Sequence, residues 1–251
     1  MPTKKLSAIA TAPAIHYRVE IADLHAHLFR VTLTIAKPQA LQRVSLPVWI
    51  PGSYLVREFS KNLQGLRARQ TAGALPAGQL NQVDKCTWDI RCKADQPLRL
   101  SYEVYANDNS VRTAWLDANR GFFNGSSLCL QVHGQERTPH ALELVASTAI
   151  AGWSAATALP AYQVLATGFG TYLAADYDEL MDCPVEMGRF WSGSFVACGV
   201  PHRLVVSGAT ASLDAARLLQ DTRLICEAHI RFWHGRKKPP HAHYLFILHV
   251  V

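Results

Sequence analysis

The sequence has 251 residues, of which 49% are hydrophobic and 18% charged. That balance excludes a disordered, charge-dominated chain, and no apolar run approaches the ~18 residues of a membrane-crossing helix. Lys and Arg number 25 against 19 Asp and Glu. The excess is scattered except at Arg236, Lys237 and Lys238, so no concentrated basic face points to nucleic acid.

At the N-terminus Lys4 and Lys5 precede residues 6–14, where Ser7, Thr11 and Pro13 interrupt any apolar run of signal-peptide type. Residues 1–14 are expected to be flexible and the protein cytoplasmic. The six cysteines contain no Cys-x-x-Cys pair and read as reduced thiols. Cys86 and Cys92 flank one strand candidate and would lie about 20 Å apart along it, too far to bond.

From residue 15 to about 150 the pattern is β. Tyr17, Val19 and Ile21 alternate with Arg18 and Glu20. Phe29, Val31, Leu33 and Ile35 alternate with Arg30, Thr32 and Thr34. Period two predicts half-buried antiparallel strands. Further strand candidates are 44–50, 63–69, 86–91, 98–106, 127–133 and 141–145. Gly and Asn turn signals fall between them, which predicts a sandwich-like domain. Gly168-Phe-Gly170 lacks the third glycine of a dinucleotide fingerprint and reads as a hairpin or bulge.

The acidic stretch from Asp176 through Asp178, Glu179 and Asp182 to Glu186 reads as a polar linker. The alternative puts some of these carboxylates at a domain seam. Strands are expected at 190–198 and 202–207. Residues 213–234 form the clearest helix, with Ser212 as N-cap and Gly235 as C-cap. Ala215, Leu218, Leu219, Ile225, Cys226, Phe232 and Trp233 form its apolar positions. Residues 244–251 read as a buried strand.

The search for catalytic signatures is mostly empty. None of the 11 histidines is followed by Glu and no two are four apart, so a His-Glu-x-x-His zinc helix cannot be built. The His25/His27 and His241/His243 pairs supply only two ligands each, short of the three or four a zinc site takes.

Three blocks carry more information. They are Leu46-Pro-Val-Trp-Ile-Pro-Gly-Ser-Tyr-Leu-Val-Arg-Glu-Phe59, then Val111-Arg-Thr-Ala-Trp-Leu-Asp117 with Gly121-Phe-Phe-Asn-Gly-Ser126, and Asp176-Tyr-Asp-Glu-Leu-Met-Asp-Cys-Pro-Val-Glu-Met-Gly188. On residues alone, Pro51-Gly52 suits a type II turn. Trp49 and Tyr54 are anchors for a core or a domain seam, and Arg57 and Glu58 form an ion pair or reach a neighbouring domain. Together the blocks resemble the glycyl aminopeptidase family, bacterial zinc metallopeptidases with a thermolysin-like catalytic domain and a C-terminal PDZ domain.

The resemblance implies a mainly β fold: an antiparallel β-sandwich-like N-terminal domain at 15–178, then the first strands and one helix of an incomplete α+β catalytic domain at 179–251. It places the zinc helix, its third ligand and the general-base Glu beyond Val251. Zinc is therefore expected in the full-length relative and not in this segment, which alone is not expected to cleave peptides. The full-length relative is expected to remove N-terminal Gly or Ala from peptides. By position in the family, Phe123, Asn124, Gly125 and Ser126 are the candidate contact to the peptide's free amine. The unfinished strands at the C-terminal end are expected to be poorly protected or to drive oligomerisation. A β-sandwich module that binds peptide or carbohydrate without catalysis is the rival reading. Whether the chain is a fragment, a frameshifted product or a natural short protein is left open by the residues.

Overall fold

The computed structural model describes residues 13–50 and 52–250. Most of the N-terminal stretch discussed above, together with Pro51 and Val251, lies outside the described residues. Strand accounts for 43% and helix for 16%, the mainly β fold that the alternation predicts.

In chain order the first strands are β1 (Ile15–Asp23), β2 (Leu28–Ile35), β3 (Leu41–Ser45), β4 (Leu63–Gln70), β5 (Gly73–Ala74), β6 (Leu80–Gln82), β7 (Thr87–Arg91) and β8 (Leu98–Tyr105). Then come β9 (Ala114–Leu116), β10 (Arg120–Phe123), the one-turn helix α1 (Gly125–Leu128), β11 (Gln131–Val132), β12 (His140–Leu144), β13 (Ser154–Thr157), β14 (Ala161–Val164) and β15 (Gly170–Ala174). The last elements are α2 (Tyr177–Asp182), β16 (Val185–Gly188), β17 (Phe190–Ala197), β18 (Val200–Ser207), α3 (Ala215–His234) and β19 (Tyr244–His249).

An eight-stranded sheet runs β14-β15-β12-β1-β2-β8-β4-β5. Its pairs are antiparallel except β1 with β12, which are parallel. Two four-stranded sheets, β13-β16-β10-β9 and β11-β3-β7-β6, complete the β-domain. One core joins all three: Tyr17, Phe29, Val31 and Leu33 of the large sheet share a buried cluster with Val44, Ile90, Leu116, Phe123, Val185 and Met187. The alternation of β1 and β2 is realised residue by residue, with Phe29, Val31, Leu33 and Ile35 all fully buried. On the outer face Arg30 donates to Glu103 at 2.7 Å across the β2–β8 pair. Burying every second side chain of such strands stabilises the fold by about 25 cal/mol for each Å² of apolar surface removed from water.

Several local expectations change. Residues 127–133 do not form one strand; they split into the end of α1 and the two-residue β11. The reason is that the carbonyls of Leu128, Cys129 and Leu130 are taken by the hydroxyls of Tyr102, Tyr177 and Tyr17, at 2.6, 2.8 and 2.7 Å, and not by a neighbouring strand. β3 ends at Ser45 instead of running to residue 50, because Pro47 has no N–H for a ladder. The acidic stretch is no linker. Asp176 caps α2 by accepting from Glu179 N at 2.9 Å, Glu179 reaches back to Ala175 N at 2.6 Å, and β16 is buried throughout. The two bonds resemble a capping box, shifted so that Glu179 accepts from the residue before the N-cap.

Gly168 and Gly170 serve the hairpin between β14 and β15, with φ of +88° and +137°. A Cβ on either would overlap a backbone carbonyl, that of Ala155 or Gln163.

Beyond the β-domain, β17, β18 and β19 form a separate three-stranded sheet. β19 runs parallel to β18, and its Tyr244 and Leu248 are 45% and 41% exposed. The last strand is therefore a half-open edge and not a buried strand. α3 is capped by Asp214, not Ser212, through Asp214 Oδ1 accepting from Arg217 N at 3.0 Å. Gly235 ends it with φ of +61°. The helix packs on β17, but only Ile230 is buried; Ile225, Phe232 and Trp233 face outward.

Candidate functional site

The seam between the β-domain and the β17–β19 sheet holds a buried cluster of polar side chains, Arg120, Glu186 and Ser207. β10 and β16 lie side by side with Phe122 opposite Glu186. Arg120 begins β10, and its guanidinium grips Glu186 with two bonds, Nε to Oε1 at 2.8 Å and Nη2 to Oε2 at 3.0 Å. Its Nη1 donates to Asn109 Oδ1 at 3.0 Å. Glu186 is fully buried and also accepts a bond from Ser207 Oγ at the end of β18. The ion pair lies within the β-domain, and the Ser207 bond to Glu186 ties it to the second sheet. Burial pushes the Glu186 carboxyl above its ordinary range, and Arg120 and Ser207 pull it back.

A cavity of about 520 Å³ opens on one side of Arg120, between Asn109, Ser110, Val111 and Phe122 and the β19 residues Tyr244, Leu245, Ile247 and His249. A second, also about 520 Å³, lies between Trp115, Asp117, Trp153, Arg189 and Gly208. Arg120 and His249 line both. Burial, with Arg120 next, lowers the His249 imidazole below its usual value, against a smaller opposing pull from Asp117. Asp182, on the wall of the first cavity, is raised by burial and by Asp178 and Asp176.

Phe123, Asn124, Gly125 and Ser126 form a strand-to-helix junction and not an open turn. Phe123 closes β10 and is buried, and Gly125 and Ser126 are buried in α1. A Cβ on Gly125 would press on Met181 and lie 2.9 Å from Leu180 O, so glycine lets α1 approach α2. Asn124 is half-buried. Its Nδ2 donates to Val111 O at 2.7 Å and Thr113 O at 3.4 Å, which fixes the loop that walls the first cavity. Its side chain caps no helical N–H. The hydroxyls of Ser126 and Ser127 are buried without a partner among the described residues.

The histidine pairs do not lie on strands. His27 has φ of +58° in the β1–β2 turn and contacts Leu116 O. His243 Nε2 meets Ala158 O at 2.8 Å, and His241 packs on His202 and Tyr244. Among the described residues no group of three or more His, Cys, Asp or Glu could hold a metal ion. All six cysteines are free, and burial raises the Cys183 thiol to about 12, which leaves it inert near neutral pH. Ser45 Oγ and His133 Nε2 lie 2.8 Å apart, but neither lines the two seam cavities.

Arg57 and Glu58 do not pair with each other: Arg57 Nε donates to Ser53 Oγ at 2.9 Å and Glu58 accepts from Lys85 at 2.7 Å. Trp49 and Tyr54 are 57% and 99% exposed and anchor no core. Sequence reasoning missed the Arg120–Glu186–Ser207 triplet, whose members are far apart in the chain; Glu186 sits in what reads as an acidic linker.

Residues 16–189 match the Peptidase M61 N-terminal domain. The chain belongs to that family. The M61 match covers the β-domain through β16, including Arg120 and Glu186. An aminopeptidase N family protein from Idiomarina loihiensis is 39% identical over 94% of this chain, with a TM-score of 0.88. This chain covers only 39% of that protein. Two more distant structures share the fold at 9% identity. Legionella pneumophila aminopeptidase A, solved with aspartic acid, has a TM-score of 0.53 over 94% of this chain and 28% of its own. Native yeast LTA4 hydrolase has 0.51 over 95% and 38%. No curated protein matches the sequence.

Proposed function

We propose that the chain is the N-terminal, non-catalytic part of a zinc-dependent, aminopeptidase-like metallopeptidase that removes N-terminal residues of the Gly or Ala type. The M61 match together with the Idiomarina loihiensis likeness carries this reading, since the longer protein has more than half its length outside the match. We place the boundary between the two units after β16, beyond the 178/179 expected from the sequence, because β16 pairs with β10 and β13; the second unit begins with β17. The seam between them, with its two cavities, is one wall of the substrate cleft.

Among the described residues no group of three or more His, Cys, Asp or Glu fits a zinc ion; on this reading the metal and its chemistry sit in the remainder of a longer chain. What these residues supply is shape and orientation. Asn124 holds the cavity-wall loop through its Nδ2, which leaves Oδ1 as an acceptor for the peptide's ammonium. Phe123, Gly125 and Ser126 seat it. Until the remainder covers β19, its open edge is a pairing site for a second copy. The free thiols fit a reducing, cytoplasmic setting; no described helix is long and apolar enough to cross a membrane.

The test is to translate the DNA downstream of codon 251 in all frames. A His-Glu-x-x-His helix with a later Glu supports the reading. A stop with no such remnant favours a stand-alone binding module. In an active longer chain, Asn124→Ala is expected to lower kcat/KM at least tenfold; unchanged kcat/KM removes the amine contact.

A further inference from the structure

The connection between β3 and β4 turns its apolar side chains outward. Val48, Trp49, Tyr54, Leu55 and Val56 are 41%, 57%, 99%, 64% and 72% exposed. Their combined apolar surface is on the order of several hundred Å², the scale at which an exposed patch marks an interaction site.

The backbone around them is held from within. Leu46 and Phe59 are buried at either end. Leu46 N donates to Cys86 O at 2.9 Å, Ser53 N to Ile50 O at 3.2 Å and Arg57 N to Val48 O at 2.6 Å. The buried Ser53 side chain accepts from Arg57 Nε, and Gly52 has the φ of +76° that such a turn requires. Such a segment binds with little ordering cost. Trp and Tyr are the residues that most often dominate interfaces. The Glu58–Lys85 pair and Lys61 give the patch the charged rim typical of an interface.

Position says what covers it. Val56, Arg57 and Glu58 share a cavity of about 410 Å³ with Asp108 and Thr113. The residues between those two, Asn109 to Val111, wall the first seam cavity opposite β19. Val111 is 75% exposed. The patch thus adjoins, across the polar cavity of Arg57, Glu58 and Asp108, the loop of Val111 that faces the open edge of β19. The Idiomarina loihiensis protein superposes on nearly the whole chain, yet most of its length lies outside the match. An occupant is available in the rest of such a chain, and the patch borders the seam at which that part would join.

We infer that Trp49, Tyr54, Leu55 and Val56, with the adjoining loop of Val111, form a preformed docking knob for the unit that follows β19 in the longer chain. This rests on the reading under Proposed function. The knob holds the β-domain in register with that unit across the cleft.

The test is hydroxyl-radical labelling read by mass spectrometry. It compares the 251-residue chain with the chain extended through its downstream coding sequence. Labelling of Trp49 and Tyr54 is expected to fall at least tenfold in the extended chain. Labelling of Tyr162, half-exposed on β14, stays unchanged. The double variant W49S/Y54S is expected to leave the melting temperature of the short chain unchanged and to lower that of the extended chain by several degrees. Hydrolysis of aminoacyl anilides by the extended chain is measured in parallel. Equal labelling in an active extended chain overturns the knob and leaves the peptidase reading intact. Protection in an inactive extended chain keeps the knob and overturns the peptidase reading. A stop after Val251, or protection of the short chain that grows with its concentration, overturns the inference; the latter names a second copy as the occupant.

Discussion

Arg120→Ala tests the seam most sharply. The substitution removes the guanidinium that holds Glu186 with two bonds and leaves without its cation a carboxylate that is fully buried in the parent. Breaking one side of a buried pair costs about 3–5 kcal/mol, a large share of the roughly 5–15 kcal/mol that a domain has in total. The cost depends on pH with a definite sign. Glu186 has a folded pKa above its unfolded value, because burial outweighs Arg120. Its favourable contribution is therefore fully present below the unfolded value of about 4.5 and is lost as pH rises through the folded one. Without Arg120 the folded value climbs further, so the deficit is largest near neutral pH and shrinks on acidification. Urea unfolding at about pH 7.5 and about pH 4.5, followed by circular dichroism and tryptophan fluorescence, reads both effects. The paired replacement R120M/E186L is expected to cost only about 1–2 kcal/mol, since it leaves no buried charge and loses mainly the Asn109 and Ser207 bonds. An Arg120→Ala deficit below about 1 kcal/mol at neutral pH, or one that grows on acidification, refutes the reasoning.

Gly168→Ala forces a Cβ into the carbonyl of Ala155 at a positive φ. It is expected to destabilise by at least about 2 kcal/mol, read as a fall in melting temperature; an unchanged melt contradicts the hairpin geometry. Tyr102→Phe strips a donor from Leu128 O and an acceptor from Leu130 N. It should cost about 1–3 kcal/mol in urea titration, where a neutral result would mean that the 128–130 segment is held otherwise. Hydrogen exchange is expected to be faster in β17–β19 and α3 than in β1, β2 and β8, because β19 is an open edge and α3 buries only Ile230. Uniform protection in a monomer contradicts that.

The strands that face solvent on one side were legible in the sequence. β1, β2 and β8 show the alternation that half-burial requires, and their core residues follow from it. β10 and β16 were not legible, because both are buried along their whole length and show no alternation. β16 also carries Glu186, which in the sequence looks like one more acid in a polar run. Its partner Arg120 lies 66 residues away, and no local pattern links them. α3 announced itself by spacing and by its Gly235 C-cap, but spacing cannot say whether a partner is present for Phe232 and Trp233. Trp49 and Tyr54 show the same limit: large aromatic residues suggest an anchor, and here both are exposed. The candidate stretch from Phe123 to Ser126 came from family resemblance. The structure adds that only Asn124 among the four reaches the surface.

The central claim is that these residues form the non-catalytic part of a metallopeptidase. It is tested most directly by measuring zinc content and aminoacyl-anilide hydrolysis on the purified 251-residue chain and on the chain extended through its downstream coding sequence. The account predicts neither stoichiometric zinc nor turnover in the short chain, and both in the extended one. Stoichiometric zinc with turnover in the short chain, or neither in the extended chain, would contradict it.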